Sequence, residues 1–190
     1  MDAPKPGPHP FYTIGHSTRP IEEFVQLLEE SAITLVVDVR AIPRSRTNPQ
    51  YNSDVLPRSL DAHSIGYEHL AALGGRRSRQ PGVDPSLNGY WQHASFHNYA
   101  DYALGDEFKA GLERLRAVGH EQSCAIMCSE AVWWRCHRRI ITDYLIASGE
   151  AVLHILGGGR VDTASLTPGA VREPDGTLRY PKPGESLPLL

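Results

Sequence analysis

Residues 124–139, Cys-Ala-Ile-Met-Cys-Ser-Glu-Ala-Val-Trp-Trp-Arg-Cys-His-Arg-Arg, join two spaced thiols, Cys128 and Cys136, to a carboxylate (Glu130), an imidazole (His137) and the guanidiniums of Arg135, Arg138 and Arg139. That set suits nucleophilic catalysis on an anionic substrate. A thiol is the least inert side-chain nucleophile near neutral pH, and neighbouring positive charge lowers its pKa further. Cys124 and Met127 lie within an apolar run and are expected in the core, where free Cys is common. His154 is expected as a core histidine, and the doubled Trp133 and Trp134 as packing. The spacing Cys128-x6-Arg135 is one residue longer than the Cys-x5-Arg of a tyrosine-phosphatase loop, which argues against that mechanism.

These groups need elements to position them. Residues 11–17 form a short β-rich run ending in His16 and Ser17. Pro20 then starts a helix in which Ile21, Phe24, Val25 and Leu28 recur at i, i+3, i+4, i+7. Residues 34–40 are a nearly continuous apolar run, the pattern of a strand buried on both faces, and carry Asp38 and Arg40 at its end. A loop rich in Pro, Ser and Asn, containing Ser45, leads to a helix over 55–64 and a short third strand over 65–70 with Glu68 and His69. Residues 73–89 read as irregular. Helices are expected over 95–103 and over 106–118, the second stopped by Gly119. Residues 123–128 read as another buried strand, 133–148 as a helix stopped by Gly149, 151–156 as a fifth strand, and 169–180, with its Asp-Gly turn, as a hairpin. The alternation predicts an α/β fold: a mostly parallel, roughly five-stranded sheet with helices on both faces, Rossmann-like and three-layered. The expected organisation is a disordered proline-rich lead over 1–10, a single α/β domain over 11–160, and a C-terminal extension over 161–190.

The chain has 190 residues, 41% hydrophobic and 22% charged, enough for one domain with a substantial core. No apolar run approaches the roughly 18 residues of a membrane span, and the N-terminal lead lacks the apolar stretch of a signal peptide. With three cysteines, an odd number, a cytoplasmic location with reduced thiols is expected. The net charge of −3 argues against a general polyanion-binding surface. Of the 19 basic residues, however, 16 are Arg, the residue suited to bidentate phosphate contacts, and seven fall between residues 40 and 79.

In an open α/β sheet, ligands bind outside the carboxyl ends of the strands. That rule gathers His16, Ser17, Asp38, Arg40, Cys128 and Glu130 at one edge, with Cys136, His137 and Arg138 near the start of the next helix, where the dipole favours anions and thiolates. The candidate catalytic residues are Cys128, Glu130, Cys136, His137, His16 and Asp38. The candidate substrate-binding residues are Ser17, Arg40, Ser45 and Arg138.

The motif order, Thr13-Ile-Gly-His-Ser, Asp38-Val-Arg, Pro43-x-Ser45, Tyr67-x-His69-x3-Leu73-Gly-Gly, Tyr99-Ala, Cys128-x-Glu130, Cys136-His137-Arg138 and His154-Ile, resembles the family catalogued as domain of unknown function 488 over roughly residues 11 to 160. The resemblance implies that His16, Ser17, Asp38, Arg40, Cys128, Glu130, Cys136, His137 and Arg138 occupy motif positions, and it implies no particular reaction. The Arg-rich stretch around residues 76–90 departs from the family's pattern.

The leading expectation is an enzyme acting on a phosphate-bearing substrate, a nucleotide or nucleic-acid component, with Cys128 or Cys136 as nucleophile, Glu130, His16 or His137 moving protons, and Arg40 and Arg138 holding the anion. No cofactor is identified by the sequence, nor any protein partner. One alternative is a zinc or iron site using Cys128, Cys136 and His137, with His16 as a further ligand. Its difficulty is that adjacent side chains on a helix point about 100° apart. Another is a non-enzymatic module binding nucleic acid or a partner through the Arg-rich loop, which the overall acidity disfavours.

Overall fold

The two most continuous apolar runs become the interior of the sheet. A computed structural model describes residues 7–184, and in it Leu35–Asp38 and Cys124–Cys128 are strands buried along their whole length. Residues 1–6 of the expected lead and 185–190 of the extension lie outside the described residues. Gly7, the first described residue, donates its amide to Glu150 at 3.2 Å.

Six strands form the sheet: β1 (Phe11–Gly15), β2 (Leu35–Asp38), β3 (Gly66–His69), β4 (Cys124–Cys128), β5 (Val152–Gly157) and β6 (Arg160–Thr163), in the order β3-β2-β4-β1-β5-β6. Every neighbouring pair from β3 to β5 is parallel, and β6 runs antiparallel to β5. Helices α1 (Ile21–Glu30) and α2 (Leu56–Asp61) cover one face, packing Phe24, Leu28, Leu56 and Leu60 on Ile14, Val36 and Met127. Helices α3 (Ala94–Tyr102), α4 (Asp106–Glu121) and α5 (Arg138–Ala147) cover the other, with Tyr99, Phe108, Leu115 and Ile140 on Val37, Cys124 and Ile126. Cys124 and Met127 are core residues, as expected. The mostly parallel three-layer α/β arrangement is the expected fold.

Three differences have physical causes. The sheet has six strands because Gly157, Gly158 and Gly159, all at positive φ, turn the chain tightly enough for 160–163 to pair back on β5. The extension expected from residue 161 therefore starts inside the main sheet. Gly119 does not stop α4, which runs on to Glu121; it is small because a Cβ there would lie 2.2 Å from the Phe11 ring. The helix expected over 133–148 is broken: a 3-10 turn spans Trp133–Arg135, Cys136 is extended at φ −126°, ψ 147°, and α5 starts at Arg138 with His137 as its N-cap.

The expected hairpin is present as β7 (Val171–Arg172) and β8 (Leu178–Arg179). Buried Asp143 on α5 fixes this segment, accepting the Thr167 amide at 2.8 Å and the Tyr180 hydroxyl at 3.0 Å. Leu178 and Tyr180 are themselves buried in the α3–α5 core.

Candidate functional site

The carboxyl ends of β1, β2 and β4 open into a cleft of about 610 Å³. Its walls include residues 16–18 after β1, 40–42, 44, 45, 47 and 48 after β2 and 128–131 at the end of β4, together with Gly75, Arg76 and the segment Arg135–His137. Two backbone bonds tie the first and third walls together, from His16 N–H to Cys128 O (2.9 Å) and from Ser17 N–H to Ser129 O (3.0 Å). Gly15 makes that approach possible, since a Cβ there would lie 1.9 Å from the Glu130 carbonyl. Ser17 is held in the left-handed region at φ 50°, an unfavourable conformation for a residue with a side chain and one that clusters at functional sites.

Of the expected residues, His16, Ser17, Arg40, Ser45, Cys128, Glu130, Cys136 and His137 line this cleft. Asp38 and Arg138 are buried behind its lining. All the acceptor capacity of Asp38 is directed inward: it receives the Arg40 amide, Arg40 Nε and Nη2 (2.6 Å) and the Tyr67 hydroxyl (2.7 Å). Its part is to hold Arg40, whose Nη2 also donates to Tyr51 O at 2.7 Å. Ser45 is fixed by its own loop, its amide on Asn52 Oδ1 (2.7 Å) and its Oγ accepting the Asn48 amide (3.0 Å).

His16 stacks on Tyr51, ring centroids 4.0 Å apart, and its Nδ1 lies 2.8 Å from Ser17 O. A carbonyl can only accept, so Nδ1 carries the proton and Nε2 has the free lone pair, 3.4 Å from Arg40 Nη1. Burial lowers the pKa of His16 to about 4, the charges of Arg40 and Arg138 adding to the effect, so the ring is neutral at pH 7.

The thiols form a second group. Arg138 is the largest fully buried side chain, and among the described residues no carboxylate pairs with it. Its Nε donates to Cys136 Sγ at 3.3 Å and its Nη2 to the Glu130 carbonyl. Burial alone would push the Cys136 thiol up. The Cys128 S–H, the Arg138 charge and the side-chain and backbone donors of Arg138 outweigh it and bring Cys136 down to about 6. Cys128, which donates to Cys136 and is itself buried, is pushed up to about 12. Burial does the same to Cys124. Of the three thiols, Cys136 is the one drawn toward the thiolate, while Cys124 and Cys128 are held as thiols.

His137 Nε2 lies 2.9 Å from Val39 O and so bears a proton, leaving Nδ1 3.6 Å from Cys136 Sγ. The ring sits against Gly75, where a Cβ would lie 2.3 Å from Nδ1, and against Tyr99, whose hydroxyl donates to Leu73 O at 2.7 Å. The Leu73-Gly-Gly and Tyr99 motif positions are thereby explained as the seat of His137. Cys128 Sγ, Cys136 Sγ and His137 Nδ1 lie within 4.8 Å of one another. The angular difficulty foreseen for a shared ligand set disappears because Cys136 is extended and not helical.

Residue spacing did not single out Arg44, Arg76 and Arg135 as cleft residues, though all three line it. The density of Arg in these segments was their one sequence signal. Arg139 belongs elsewhere, bonded to Thr167 Oγ1 and Tyr90 OH and lying over the Trp91 ring. His154 is buried as expected, bonded to Thr13 Oγ1 at 2.7 Å and stacked on Trp133 at 4.3 Å.

No helix among the described residues is long and apolar enough to cross a membrane. Searches of curated proteins and of solved structures found no match. A family model described as "Domain of unknown function DUF488" matches residues 20–145, which hold Asp38, Arg40, Cys128, Glu130, Cys136, His137 and Arg138. The match spans more than half of the sequence, and the chain belongs to that family.

Proposed function

We propose that the protein is a thiol-dependent hydrolase or transferase acting on a phosphate-bearing substrate, a nucleotide or nucleic-acid component, in a cytoplasmic setting that keeps its three free cysteines reduced. The observation that carries this reading is the buried guanidinium of Arg138, which donates to Cys136 Sγ and, among the described residues, pairs with no carboxylate. An unpaired buried charge is costly, so the pair favours Arg138 with a Cys136 thiolate at the floor of the cleft.

The cleft supports the substrate class. Arg44, Arg76 and Arg135 line it, and Arg40 Nη1 faces it beside His16. A phosphate held by these guanidiniums would bring an electrophilic centre of the substrate to Cys136. The sulfur lone pair forms the new bond, and the bond to the leaving group breaks. The leaving group takes up a proton from solvent, relayed through the exposed Glu130 carboxylate at the mouth of the cleft. Water or an acceptor hydroxyl, passing its proton through His16 Nε2 to solvent, then displaces the substrate from sulfur and restores the thiolate, so that one proton is taken from solvent and one returned in each turnover.

The test is alkylation of chelator-treated protein at neutral pH, with the modified residue identified by mass spectrometry. Cys136 labels first, and millimolar inorganic phosphate or a nucleoside monophosphate slows it. Equal, slow labelling of Cys124, Cys128 and Cys136 would remove the thiolate and the proposal with it.

A further inference from the structure

We infer that Cys128, Cys136 and His137 form a zinc-binding centre with its fourth position open to the cleft. The inference goes beyond the thiol reading and rests on a different observation, the shape of the donor triangle. In tetrahedral zinc sites the Zn–S and Zn–N bonds are about 2.3 and 2.0–2.1 Å, which sets the sulfur-to-nitrogen edge at about 3.6 Å and the sulfur-to-sulfur edge at about 3.8 Å. Cys136 Sγ and His137 Nδ1 are 3.6 Å apart, and all three donor atoms fall within 4.8 Å of one another.

The imidazole is prepared for the role. Its Nε2–H is fixed on the Val39 carbonyl, which leaves Nδ1 as the ring's free lone pair aimed at the sulfurs. A backbone carbonyl on the far nitrogen is a common outer partner of metal-bound histidine. Gly75 and Tyr99 hold the ring in that pose.

Charge selects what completes the site. Two thiolates neutralise Zn²⁺, and Arg138 beside Cys136 leaves one positive charge. The open position therefore takes an anion, hydroxide or a substrate oxygen, from the cleft that Cys128, Cys136 and His137 all line. Three protein donors with an open fourth position is the pattern of catalytic rather than structural zinc. Soft thiolates with an imidazole favour zinc over magnesium or calcium. Coordinated zinc would also engage the sulfur that the thiol mechanism uses, so the bound metal holds Cys136 inactive as a nucleophile.

The experiment titrates chelator-stripped full-length protein with Zn²⁺ against a chromophoric chelator, and with Co²⁺ for its spectrum. One ion per chain and a thiolate-to-cobalt charge-transfer band are expected. Cys128→Ser, Cys136→Ser and His137→Gln should each weaken zinc binding at least about tenfold, with Cys124→Ser unchanged. Half-buried His137 is the deciding position should a cysteine variant fail to fold. Absence of stoichiometric binding by the parent protein, or unchanged affinity in His137→Gln, overturns the zinc centre. Alkylation on the same stripped sample separates the two readings: rapid labelling of Cys136 without zinc binding sinks the metal and leaves the thiolate, whereas zinc binding with Cys136 no faster than Cys124 does the reverse. Added zinc should protect Cys136, and labelling at an undiminished rate in the zinc-saturated protein would also count against the centre.

Discussion

Arg138 and Arg139 are neighbours in sequence with opposite fates. Arg138 turns inward to sulfur, and Arg139 leaves the site for Thr167 and Tyr90. Composition announced that guanidiniums lie beside the thiols, but only packing decides which one touches Cys136, because one residue of helix rotates a side chain by about 100°. The same holds for the thiols: both were visible, and the assignment of the low pKa to Cys136 needed the Cys128 donor and the Arg138 contacts. Replacing the guanidinium by an apolar chain of similar length, Arg138→Met, should slow iodoacetamide labelling of Cys136 at neutral pH by about tenfold or more, since each unit of pKa changes the thiolate population up to tenfold. In the same assay Asp38→Asn should leave Cys136 labelling near the parent rate but weaken protection by inorganic phosphate, because Asp38 bonds Arg40 and not the thiols.

At the scale of elements, the buried strands were legible because 34–40 and 123–128 are nearly unbroken apolar runs, and α1 because its apolar residues recur at helical spacing. The short strand β3 was legible only from its length and its place in the alternation, since Tyr67 is the one strong β former in Gly66–His69. What the pattern hid were positions where a neighbour decides. Gly119 looks like a helix stop and is instead the gap that admits Phe11. Gly119→Ala, though a better helix former, should therefore destabilise the protein by roughly 1–3 kcal/mol through overpacking, read as a lower urea midpoint with an unchanged slope. The break at Cys136 was hidden for a similar reason. Trp133, Trp134 and Arg135 carry no helix-breaking residue, and the extended turn follows from Trp133 lying flat on His154 and Arg138 reaching the Glu130 carbonyl. The break makes the site, because it aims Cys136 and His137 at the same point.

At the scale of the molecule, two buried histidines sit in the sheet, His16 just past the carboxyl end of β1 and His154 within β5. Burial lowers both His16 and His154 to about 4, assisted at His154 by the charge of Arg138. The unfolded chain takes up these protons near pH 6.5, whereas the folded chain does not until about 4. The unfolded state thus binds more protons across that window, and stability falls as pH drops from about 6.5 to about 4, then levels with respect to these groups. The contribution is on the order of 3 kcal/mol per histidine. Urea midpoints measured from pH 7 to pH 4.5, above most of the carboxylate range, should show the decline, and His154→Gln should make it shallower. The sequence placed both histidines, one at a strand end and one in a core strand, but their neutrality comes chiefly from burial, with the charges of Arg40 and Arg138 added, and only packing reveals either. The C-terminal hairpin was legible from Asp175-Gly176, while its anchoring through Asp143 and Tyr180 was not, since the two are 37 residues apart.

The cleft is roomy, yet its two sulfurs are barely open to solvent, Cys128 6% and Cys136 3% exposed. Reach, and not only chemistry, then governs what reacts. A reagent must be drawn in by the guanidinium rim and still present its electrophile on a slender arm. Anionic iodoacetate should gain on neutral iodoacetamide at Cys136 relative to a small free thiol, high salt should erase that gain, and a bulky maleimide should lag behind both.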